Sequence, residues 1–392
     1  MIEVTASARS PLGMSPQAFL RDFWQQRPLL IRRAFADFES PLTGDDLGGL
    51  ACEEFALSRL VVHDPRSDHW TVRTGPFEEA DFASLPRSHW TLLVQDVDKW
   101  DADVAALLEP FDFLPSWRID DVMVSYAEDG GSVGAHVDQY DVFLLQGQGR
   151  RRWQISTDRA APTAFRDDVE LRLLREFRPT HEWLLEPGDM LYLPPGVPHH
   201  GVAEGECLTF SIGMRAPSVG EMVADFAGFV AERLGESVRY ADPGIAPAKK
   251  TGEIDDKALE KIESTLRDSL AVDASLLRGW FGAFITRYRA AHEALPPARA
   301  LSAAEFTRRF KAGESLQANP WSRFAWSKAR SGATLYVAGE SFHCTRRLAE
   351  RLCRRDPLTV AELGTLETPT LDLLLALLNA GHLALGRIRS KR

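Results

Sequence analysis

The stretch from Gly134 to Trp153, GAHVDQYDVFLLQGQGRRRW, holds the pattern that decides the fold. Two polar residues, His136 and Asp138, precede an apolar run from Val142 to Leu145, and a Gly-Gln-Gly turn then leads into another β-like segment. Short β-like runs separated by glycine and proline breaks are typical of an all-β barrel or jelly roll. Runs of this kind surround the stretch from the start of the chain to about residue 215.

Ten strand candidates fall within this first part of the chain. They are Leu29–Arg32, Phe55–Val62, Trp70–Thr74, Trp90–Val94, Ile119–Tyr126, His136–Gln146, Arg151–Ser156, Trp183–Leu185, Met190–Leu193 and Cys207–Gly213. An early helix is also predicted, because Ser15 is a favoured N-cap and Pro16 suits the first turn. Its apolar face should pack on the sheet and comprises Phe19, Leu20, Phe23 and Trp24.

After Pro217 the hydrophobic periodicity becomes helical. Ser218 and Glu221 form a capping box, and two more amphipathic helices are predicted from Ile254 to Leu270 and from Ala274 to His292. The apolar faces of these three helices need a partner, which is either the barrel or a second subunit. Of the two interpretations we prefer the second, and we predict that these helices form a dimer interface.

The last hundred residues combine helices with a small hairpin, which predicts a winged-helix-like domain. Their elements are a helix capped by Ser302, a hairpin at Leu335–His343, and helices at Arg346–Arg354 and Pro369–Asn379. Such a domain either binds nucleic acid or serves as a docking domain. Five arginines lie on or beside one helix and favour the first interpretation: Arg346, Arg347, Arg351, Arg354 and Arg355. Since nothing in the sequence places them on one open face, the docking interpretation is preferred.

The composition sets outer limits on the class of protein. With 392 residues the chain is long enough for two or three domains, and 44% hydrophobic with 26% charged residues is an ordinary globular composition. The formal charge of −10 gives no global electrostatic case for a nucleic-acid partner, so direct nucleic-acid binding is not expected.

The sequence shows no segment that we would assign to a membrane or to secretion. The longest apolar run, Leu371–Leu378, is short and contains Asp372, and the first fifteen residues lack a basic segment followed by an apolar one. We therefore expect a cytoplasmic protein. The scattered cysteines disfavour a disulfide scaffold or a thiolate zinc site; they are Cys52, Cys207, Cys344 and Cys353.

The His136-Val137-Asp138 triplet is a candidate for a metal site. Residues two apart on a strand point to the same face, so both polar side chains can meet one ion. A third ligand is available in DMLYLPPGVPH, where an apolar strand with a proline-rich end delivers His199. Two imidazoles and one carboxylate form the facial triad of Fe(II) oxygenases, which leaves positions open for cosubstrate and oxygen.

The triplet alone is a weak signal, because a surface histidine beside a solvated aspartate is a common alternative. The distal histidine and the barrel pattern together favour the metal interpretation. His200 is the competing ligand, although the adjacent position on a strand would normally face elsewhere. The remaining histidines considered have no such partner and are assigned to the core or the surface: His63, His69, His89 and His181.

A second polar cluster follows thirteen residues beyond Asp138. Period-two alternation places Arg151 on the face opposite Arg150 and Arg152, so only one set can point inward. A lone inward guanidinium beside a metal can hold a dicarboxylate bidentately, whereas the alternative is a wholly exposed basic turn. One strand earlier Ser125 shares a face with Asp121, so Ser125 can donate to the same carboxylate while Asp121 lies nearer the cavity mouth.

These segments resemble the JmjC-type 2-oxoglutarate oxygenases, and more closely the bacterial ribosomal oxygenases of the cupin-4 group. The similarity rests on Gly134–Trp153, on EPGDMLYLPPGVPH at Glu186–His199 and on SIGMRAP at Ser211–Pro217. It implies a mixed α and β chain with a double-stranded β-helix (jelly-roll, cupin, JmjC) catalytic domain at 1–216. A helical dimerisation region at 217–296 and a winged-helix-like domain at 297–392 would follow.

The resemblance also implies roles for particular residues. Fe(II) would be held by His136, Asp138 and His199, and the 2-oxoglutarate carboxylate by Arg151 and Ser125, with O2 as the second cosubstrate. Bacterial members hydroxylate C3 of an arginine in protein sixteen of the large ribosomal subunit, and their substrate-contacting positions map onto Asp121, Tyr140 and Ser211. His200 departs from the residue type expected after the metal histidine. A homodimer and a ribosomal-protein substrate are the implied partners.

Two other functions remain open at this level. The first is an iron and 2-oxoglutarate oxygenase that acts on another protein residue, such as histidine or methyl-lysine. The second is a metal-sensing barrel fused to a winged-helix nucleic-acid binder, which the acidic charge makes the weaker option. A sensor would bind operator DNA with an affinity that falls as the salt concentration rises, and it would not turn over a cosubstrate, whereas an enzyme would.

Overall fold

The structure is a computed structural model that describes residues 2–7, 10–248, 250–287, 294–354, 356–363 and 367–387. These residues form two compact units, one ending at Ala216 and the other beginning at Pro217. The predicted division of the second unit at residue 297 stays a prediction, since its helices and the winged-helix-like part belong to one compact unit. Among the described helices, none combines the length and the apolar character needed to cross a membrane.

The first unit is built mainly from strands. They are β1 (Glu3–Thr5), β2 (Leu29–Arg32), β3 (Ser58–Asp64), β4 (His69–Thr74), β5 (Trp90–Val94), β6 (Ile119–Ala127), β7 (His136–Val137), β8 (Val142–Ile155), β9 (His181–Leu185), β10 (Met190–Leu193) and β11 (Pro198–Met214). Five short α-helices accompany them: α1 (Pro16–Asp22), α2 (Gly44–Ala51), α3 (Glu79–Ala83), α4 (Val97–Trp100) and α5 (Ala102–Ala106).

The strands follow the hydrogen-bonded order β1-β2-β10-β8-β11-β6-β5-β3-β4, with β7 paired to β11 and β9 paired to β8. The long strands β8 and β11 belong to both halves of the barrel. The first half of β11 pairs with β7 and with the end of β8, whereas its second half pairs with β6 and with the beginning of β8. The jelly-roll prediction for this part of the chain is confirmed.

Alternate residues of β8 belong to two different hydrophobic cores. Phe143 and Leu145 belong to the larger core, which includes Phe19 of α1, while Val142 and Leu144 belong to a smaller core with Trp153. The predicted early helix is confirmed, since Ser15 caps α1 and the Phe19 ring packs on rings of β8 and β10. The period-two pattern of the apolar run thus gives β8 two buried faces.

Two details of the predicted strands are wrong. The single strand predicted from His136 to Gln146 is broken, because β7 ends at Val137 and β8 begins at Val142. The predicted turn at Gly147–Gly149 lies inside β8, at a register shift in which three residues of β11 oppose Gly149. Gly149 has φ +62° and a Cβ there would approach the Glu206 carbonyl oxygen to 2.0 Å, so glycine serves a bulge rather than a turn.

The second unit carries helices and two small sheets. Its helices are α6 (Val219–Ala231), α7 (Asp256–Leu270), α8 (Ala274–Thr286), α9 (Ala303–Lys311), α10 (Arg346–Leu352), α11 (Val360–Leu363) and α12 (Thr368–Asn379). Its strands are β12 (Ser315–Ala318), β13 (Phe324–Lys328), β14 (Ala333–Val337), β15 (Glu340–Cys344) and β16 (Leu383–Gly386).

The predicted elements of the second unit are present in the structure. Ser218 and Glu221 form the capping box of α6, and Ser302 caps α9. The hairpin β14–β15 turns at Ala338 and Gly339, which both have positive φ as a type I′ turn requires. The winged-helix-like prediction is confirmed. The predicted end of α8 at His292, and Arg355 of the arginine cluster, lie outside the described residues.

Candidate metal centre

Three side chains on the inner face of the barrel form a candidate metal site. One ligand atom each from His136, Asp138 and His199 lies within 4.8 Å of the others, and this is the only such cluster found among the described residues. The carboxylate oxygen Oδ2 of Asp138 is 3.9 Å from Nε2 of His136 and 3.6 Å from Nε2 of His199. Direct pairing of His136 on β7 with His199 on β11 brings the two imidazoles together.

Backbone hydrogen bonds orient both imidazoles. Nδ1 of His136 lies 2.9 Å from the Gly134 carbonyl oxygen, and Nδ1 of His199 lies 2.9 Å from the Val197 carbonyl oxygen. A carbonyl can only accept, so each Nδ1 donates, and Nε2 is the ring nitrogen left to bind a cation between the ligands. Such outer hydrogen bonds are the usual way in which a protein fixes the tautomer of a metal-binding histidine.

Burial sets the charges of the cluster. Burial, and then repulsion from His136, holds the pKa of His199 well below its ordinary value, so the imidazole is neutral and able to bind a cation. Burial also raises the pKa of Asp138, against the opposing effects of His136 and the Tyr140 hydroxyl. A divalent cation between these groups would favour the ionised carboxylate and compensate its loss of hydration. The donor set therefore fits a transition metal.

His200 takes no part in this cluster. It pairs with Gln154 on β8, and its ring meets the Phe177 ring edge-on with centroids 6.1 Å apart. Burial, followed by the charge of Arg151, lowers the pKa of His200 to about 4, so this imidazole is also neutral at physiological pH. Of the two adjacent histidines, the structure brings only His199 to His136 and Asp138.

Arg151 is the member of the arginine triplet that points inward. It is 3% exposed, whereas Arg150 lies on the surface and Arg152 forms ion pairs with Glu182 and Glu204. The Arg151 guanidinium carbon lies 5.1 Å from the centroid of the Trp153 ring, and the same ring lies 5.9 Å from that of His199. Trp153 thus neighbours both the guanidinium and the metal ligands.

The hydrogen-bond partners of the buried Arg151 are neutral groups. Its Nη1 donates to Ser125 Oγ at 3.1 Å, its Nη2 lies 3.4 Å from the Gly201 carbonyl oxygen, and its Nε is buried without a hydrogen-bond partner. No carboxylate among the described residues forms an ion pair with it. Burial lowers the pKa of Arg151, and an uncompensated buried cation is costly for the fold. The arrangement therefore fits an anionic ligand that binds beside Arg151.

Three further residues of this polar site escaped the sequence analysis. Thr209 Oγ1 lies 3.5 Å from Arg151 Nη1 and donates to Gln146 Oε1 at 3.1 Å, and the Gln146 amide donates to a backbone carbonyl. Gly201 leaves room for Arg151, because a Cβ there would approach Arg151 Nε to 2.8 Å. The sequence does contain a signal for two of them, because Gln146 and Thr209 are polar residues within the otherwise apolar runs of β8 and β11.

Two of the three residues predicted to contact a substrate lie on neighbouring strands. Asp121 pairs with Gly213, and Ser211 pairs with Met123, so both lie on the β6–β11 ladder that also carries Ser125. Tyr140 lies between β7 and β8 and is 42% exposed. Loss of hydration at the hydroxyl, and then the charges of Asp138 and Asp121, raises the pKa of Tyr140 although its ring is partly exposed, so the hydroxyl stays protonated.

The two carboxylate oxygens of Asp121 differ in their hydrogen bonding. Its Oδ2 accepts a hydrogen bond from the Asp96 backbone amide at 3.1 Å, while Oδ1 has no hydrogen-bond partner among the described residues. Burial, followed by the charges of Asp96, Asp120 and Asp98, raises the pKa of Asp121 to about 7. A cationic group that meets Oδ1 would favour the ionised carboxylate.

Comparisons with known proteins agree with this geometry. A family model described as the JmjC domain matches residues 106–222, and one described as a ROXA-like winged helix matches residues 266–384. Together with the jelly-roll barrel and its His-Asp-His cluster, these matches define the class of the chain as a JmjC-domain protein.

Individual relatives narrow the class. The "Ribosomal protein uL16 3-hydroxylase" of Escherichia coli is 36% identical over 367 residues, which cover 93% of this chain and 96% of that protein. A "Probable ribosomal oxygenase" of Haemophilus influenzae is 36% identical over 67% of this chain and 65% of its own. The chain belongs to the JmjC-domain ribosomal oxygenases.

Solved structures show the same fold. The X-ray structure of E. coli YcfD has a TM-score of 0.86 at 34% identity and covers 95% of this chain and 98% of that one. A structure described as YcfD, a ribosomal oxygenase, in complex with cobalt and 2-oxoglutarate has a TM-score of 0.82 at 35% identity, with the same coverage.

The cluster predicts which histidine is needed for metal binding. We expect His199→Ala to lose tight binding of Fe(II) or Co(II) and to stop succinate formation, and His136→Ala and Asp138→Ala to do the same, because two ligands of three do not complete the site. His200→Ala is the matched control and should keep most of both properties. Anaerobic calorimetric titration with metal, followed by succinate detection, measures the outcome. Loss in His200→Ala with full binding in His199→Ala would reverse the assignment.

Proposed function

We propose that this chain is an Fe(II)- and 2-oxoglutarate-dependent hydroxylase that modifies C3 of an arginine in ribosomal protein uL16, acting in the cytoplasm. The observation that carries the proposal is a buried guanidinium, Arg151, that lacks a carboxylate partner in the described residues and shares the neighbour Trp153 with a His-Asp-His cluster. The close similarity to the E. coli uL16 3-hydroxylase supports the same substrate.

In this proposal His136, Asp138 and His199 hold the iron. Bound iron supplies the chemistry of oxidative decarboxylation of 2-oxoglutarate coupled to hydroxylation by O2. The chain aims the two imidazoles by their Nδ1 hydrogen bonds to backbone carbonyls, and burial keeps the His199 imidazole neutral. Buried apolar side chains that pack with Trp153 limit the access of water on the His199 side of the site.

The distal carboxylate of 2-oxoglutarate would meet Arg151 and Ser125. The unpaired Arg151 Nε and its neighbouring Nη atom offer the fork that a carboxylate accepts. The hydroxyl oxygens of Ser125 and Thr209 lie within 3.5 Å of Nη1 and accept from it, so Ser125 can donate its own hydroxyl hydrogen to the same carboxylate. Ligand binding would also supply the negative charge that the buried cation lacks.

The substrate arginine would meet Asp121, Tyr140 and Ser211. The available Oδ1 of Asp121 can accept from a guanidinium, the exposed Tyr140 ring can support its flat face, and Ser211 offers a hydroxyl. A planar cation with several donors suits this set better than an ammonium group does. Arginine is therefore the preferred target, ahead of lysine or histidine.

The helical region at 217–296 is proposed to form a homodimer. Four apolar side chains recur along one side of α7 at spacings of three and four residues and remain 43–57% exposed: Leu259, Ile262, Leu266 and Leu270. An exposed apolar stripe on an otherwise polar helix is typical of a surface that a second chain covers. The C-terminal part, 297–392, is proposed to be a separate winged-helix-like domain.

The affinity for 2-oxoglutarate should depend on one arginine of the triplet. We expect Arg151→Ala to raise the KM for 2-oxoglutarate about 30- to 1000-fold, as a buried bidentate pair contributes about 2 to 4 kcal/mol. Arg150→Ala and Arg152→Ala are matched controls, because exposed charges contribute little. Initial rates of succinate formation over a range of 2-oxoglutarate concentrations test this. Equal effects of all three substitutions would contradict the proposed carboxylate site.

Substrate selection should depend on Asp121 and on pH. With a pKa of about 7, the Asp121 carboxyl is ionised above that pH and neutral below it, so the KM for a uL16 peptide should fall as the pH rises through 7. Asp121→Asn should raise that KM at pH 8 about 10- to 100-fold and remove this pH dependence, while sparing the KM for 2-oxoglutarate.

A peptide in which lysine replaces the target arginine should lose most of the turnover. Mass spectrometry that follows the gain of one oxygen atom compares the two peptides. Equal turnover of the arginine and lysine peptides, or unchanged peptide kinetics in Asp121→Asn, would remove guanidinium recognition from the proposal.

The proposed dimer can be tested on the stripe of α7. Leu266→Glu should convert the protein to a monomer, because it places a charge in an apolar contact. Lys261→Glu changes an exposed residue of the same helix and should leave the dimer intact. Sedimentation equilibrium gives the mass directly. A monomeric wild type, or a Leu266→Glu variant that still dimerises, would contradict this interface.

A further inference from the structure

The net charge of −10 conceals a strongly uneven distribution of charge along the chain. Residues 297–392 contain 16 lysine and arginine residues against 8 aspartate and glutamate residues, a net charge of +8. The remaining residues, 1–296, therefore carry −18. The basic C-terminal part therefore attracts anionic partners, whereas the acidic remainder of the chain attracts cationic ones.

Part of this charge is concentrated where α9 ends against β16. The last turn of α9 carries Arg308, Arg309 and Lys311. Arg309 donates through Nη2 to the carbonyl oxygen of Leu385, at 3.2 Å, so the end of the helix lies against the strand. Arg387 follows that strand directly. We name Arg308, Arg309, Lys311 and Arg387 the basic patch.

Among the residues that the structure describes, one acidic side chain is bonded into the basic patch. Glu314 pairs with Arg309 at 2.6 Å. The hydrogen-bonded Arg309, with smaller contributions from the charges of Arg387 and Arg308, holds the pKa of Glu314 below its ordinary value, which agrees with their closeness. Arg308, Lys311 and Arg387 are exposed, and their side chains have no ion-pair partner among the described residues.

We propose that the basic patch binds the phosphate backbone of RNA. Exposed, unpaired cations on one small surface favour a polyanion, because each neutralised phosphate releases a condensed counterion. Three more basic residues follow the patch in the sequence: Arg389, Lys391 and Arg392. RNA is favoured over DNA because the chain belongs to the ribosomal oxygenases, and RNA surrounds ribosomal proteins.

The other arginines of this domain are less available. Arg351 donates to Glu362 and to the carbonyl oxygens of Asp356 and Pro357, and Arg347 donates to the Glu362 carbonyl oxygen. Two of the α10 arginines that favour nucleic-acid binding in the sequence therefore form hydrogen bonds within the domain. The proposal places the RNA contact at α9 and β16 instead.

Fluorescence anisotropy with a labelled RNA hairpin tests the proposal on the full-length protein. Four phosphate contacts predict an affinity that falls about 50-fold between roughly 50 and 200 mM salt. We expect at least about a 10-fold loss of RNA affinity in the triple variant Arg308→Glu, Lys311→Glu, Arg387→Glu. The slope of its log affinity against log salt concentration should be less steep by about 2. Arg309 is left unchanged because it joins α9 to Glu314 and β16.

The matched control reverses three exposed arginines of the first unit: Arg66→Glu, Arg87→Glu, Arg159→Glu. It changes the net charge equally and should keep the RNA affinity and salt slope of the wild type. Thermal melting of each variant verifies that it is folded. Absence of RNA binding by the wild type at low salt, equal loss in the control, or full affinity in the patch variant would overturn the proposal. Equal affinity for polyglutamate would overturn the assignment to RNA.

Discussion

The antiparallel pairing of β8 with β11 is the constraint on which the candidate site depends. His199, Gly201, Thr209 and Ser211 lie on β11, while Gln146 and Arg151 lie on β8. A slip of one residue would turn Arg151 outward and replace it with Arg150 or Arg152. The register shift opposite Gly149 lets one pair of strands carry both polar groups of the site. The metal ligands lie beside β7, and Thr209, which contacts Arg151 and Gln146, lies beside β6. The bulge is therefore a functional feature of the barrel.

The inner face of the barrel carries opposite charges that the fold alone does not neutralise. Arg151 is a buried cation with neutral partners, and Asp138 is a largely buried carboxylate whose pKa burial raises. Each is costly in the absence of a ligand, and each is complementary to one component of the proposed reaction. Binding free energy can therefore offset an electrostatic cost that is present in the free protein. This accounts for polar residues inside strands that are otherwise apolar.

Charge is also divided along the chain. Acidic groups surround Asp121 at the proposed substrate site of the first unit, whereas the last 96 residues carry a net charge of +8. A basic substrate segment and a polyanion would be attracted by different parts of the molecule. The whole-chain charge of −10 correctly describes the protein as acidic, yet it misleads as a guide to partners because opposite contributions cancel within it.

Local patterns in the sequence were sufficient for the barrel class, for several capped helices and for the inward set of polar residues. The period of two separates Arg151 from its neighbours and His199 from His200, because alternation on a strand is a property of the backbone. Capping residues locate α6 and α9, and Ala338-Gly339 locates a hairpin. Only the tertiary structure decided the break between β7 and β8, the bulge at Gly149 and the contacts of Thr209, Gln146 and Gly201 with Arg151. These depend on which strand lies opposite, and pairing between residues as distant as Arg151 and Ala203 has no local signature in the sequence.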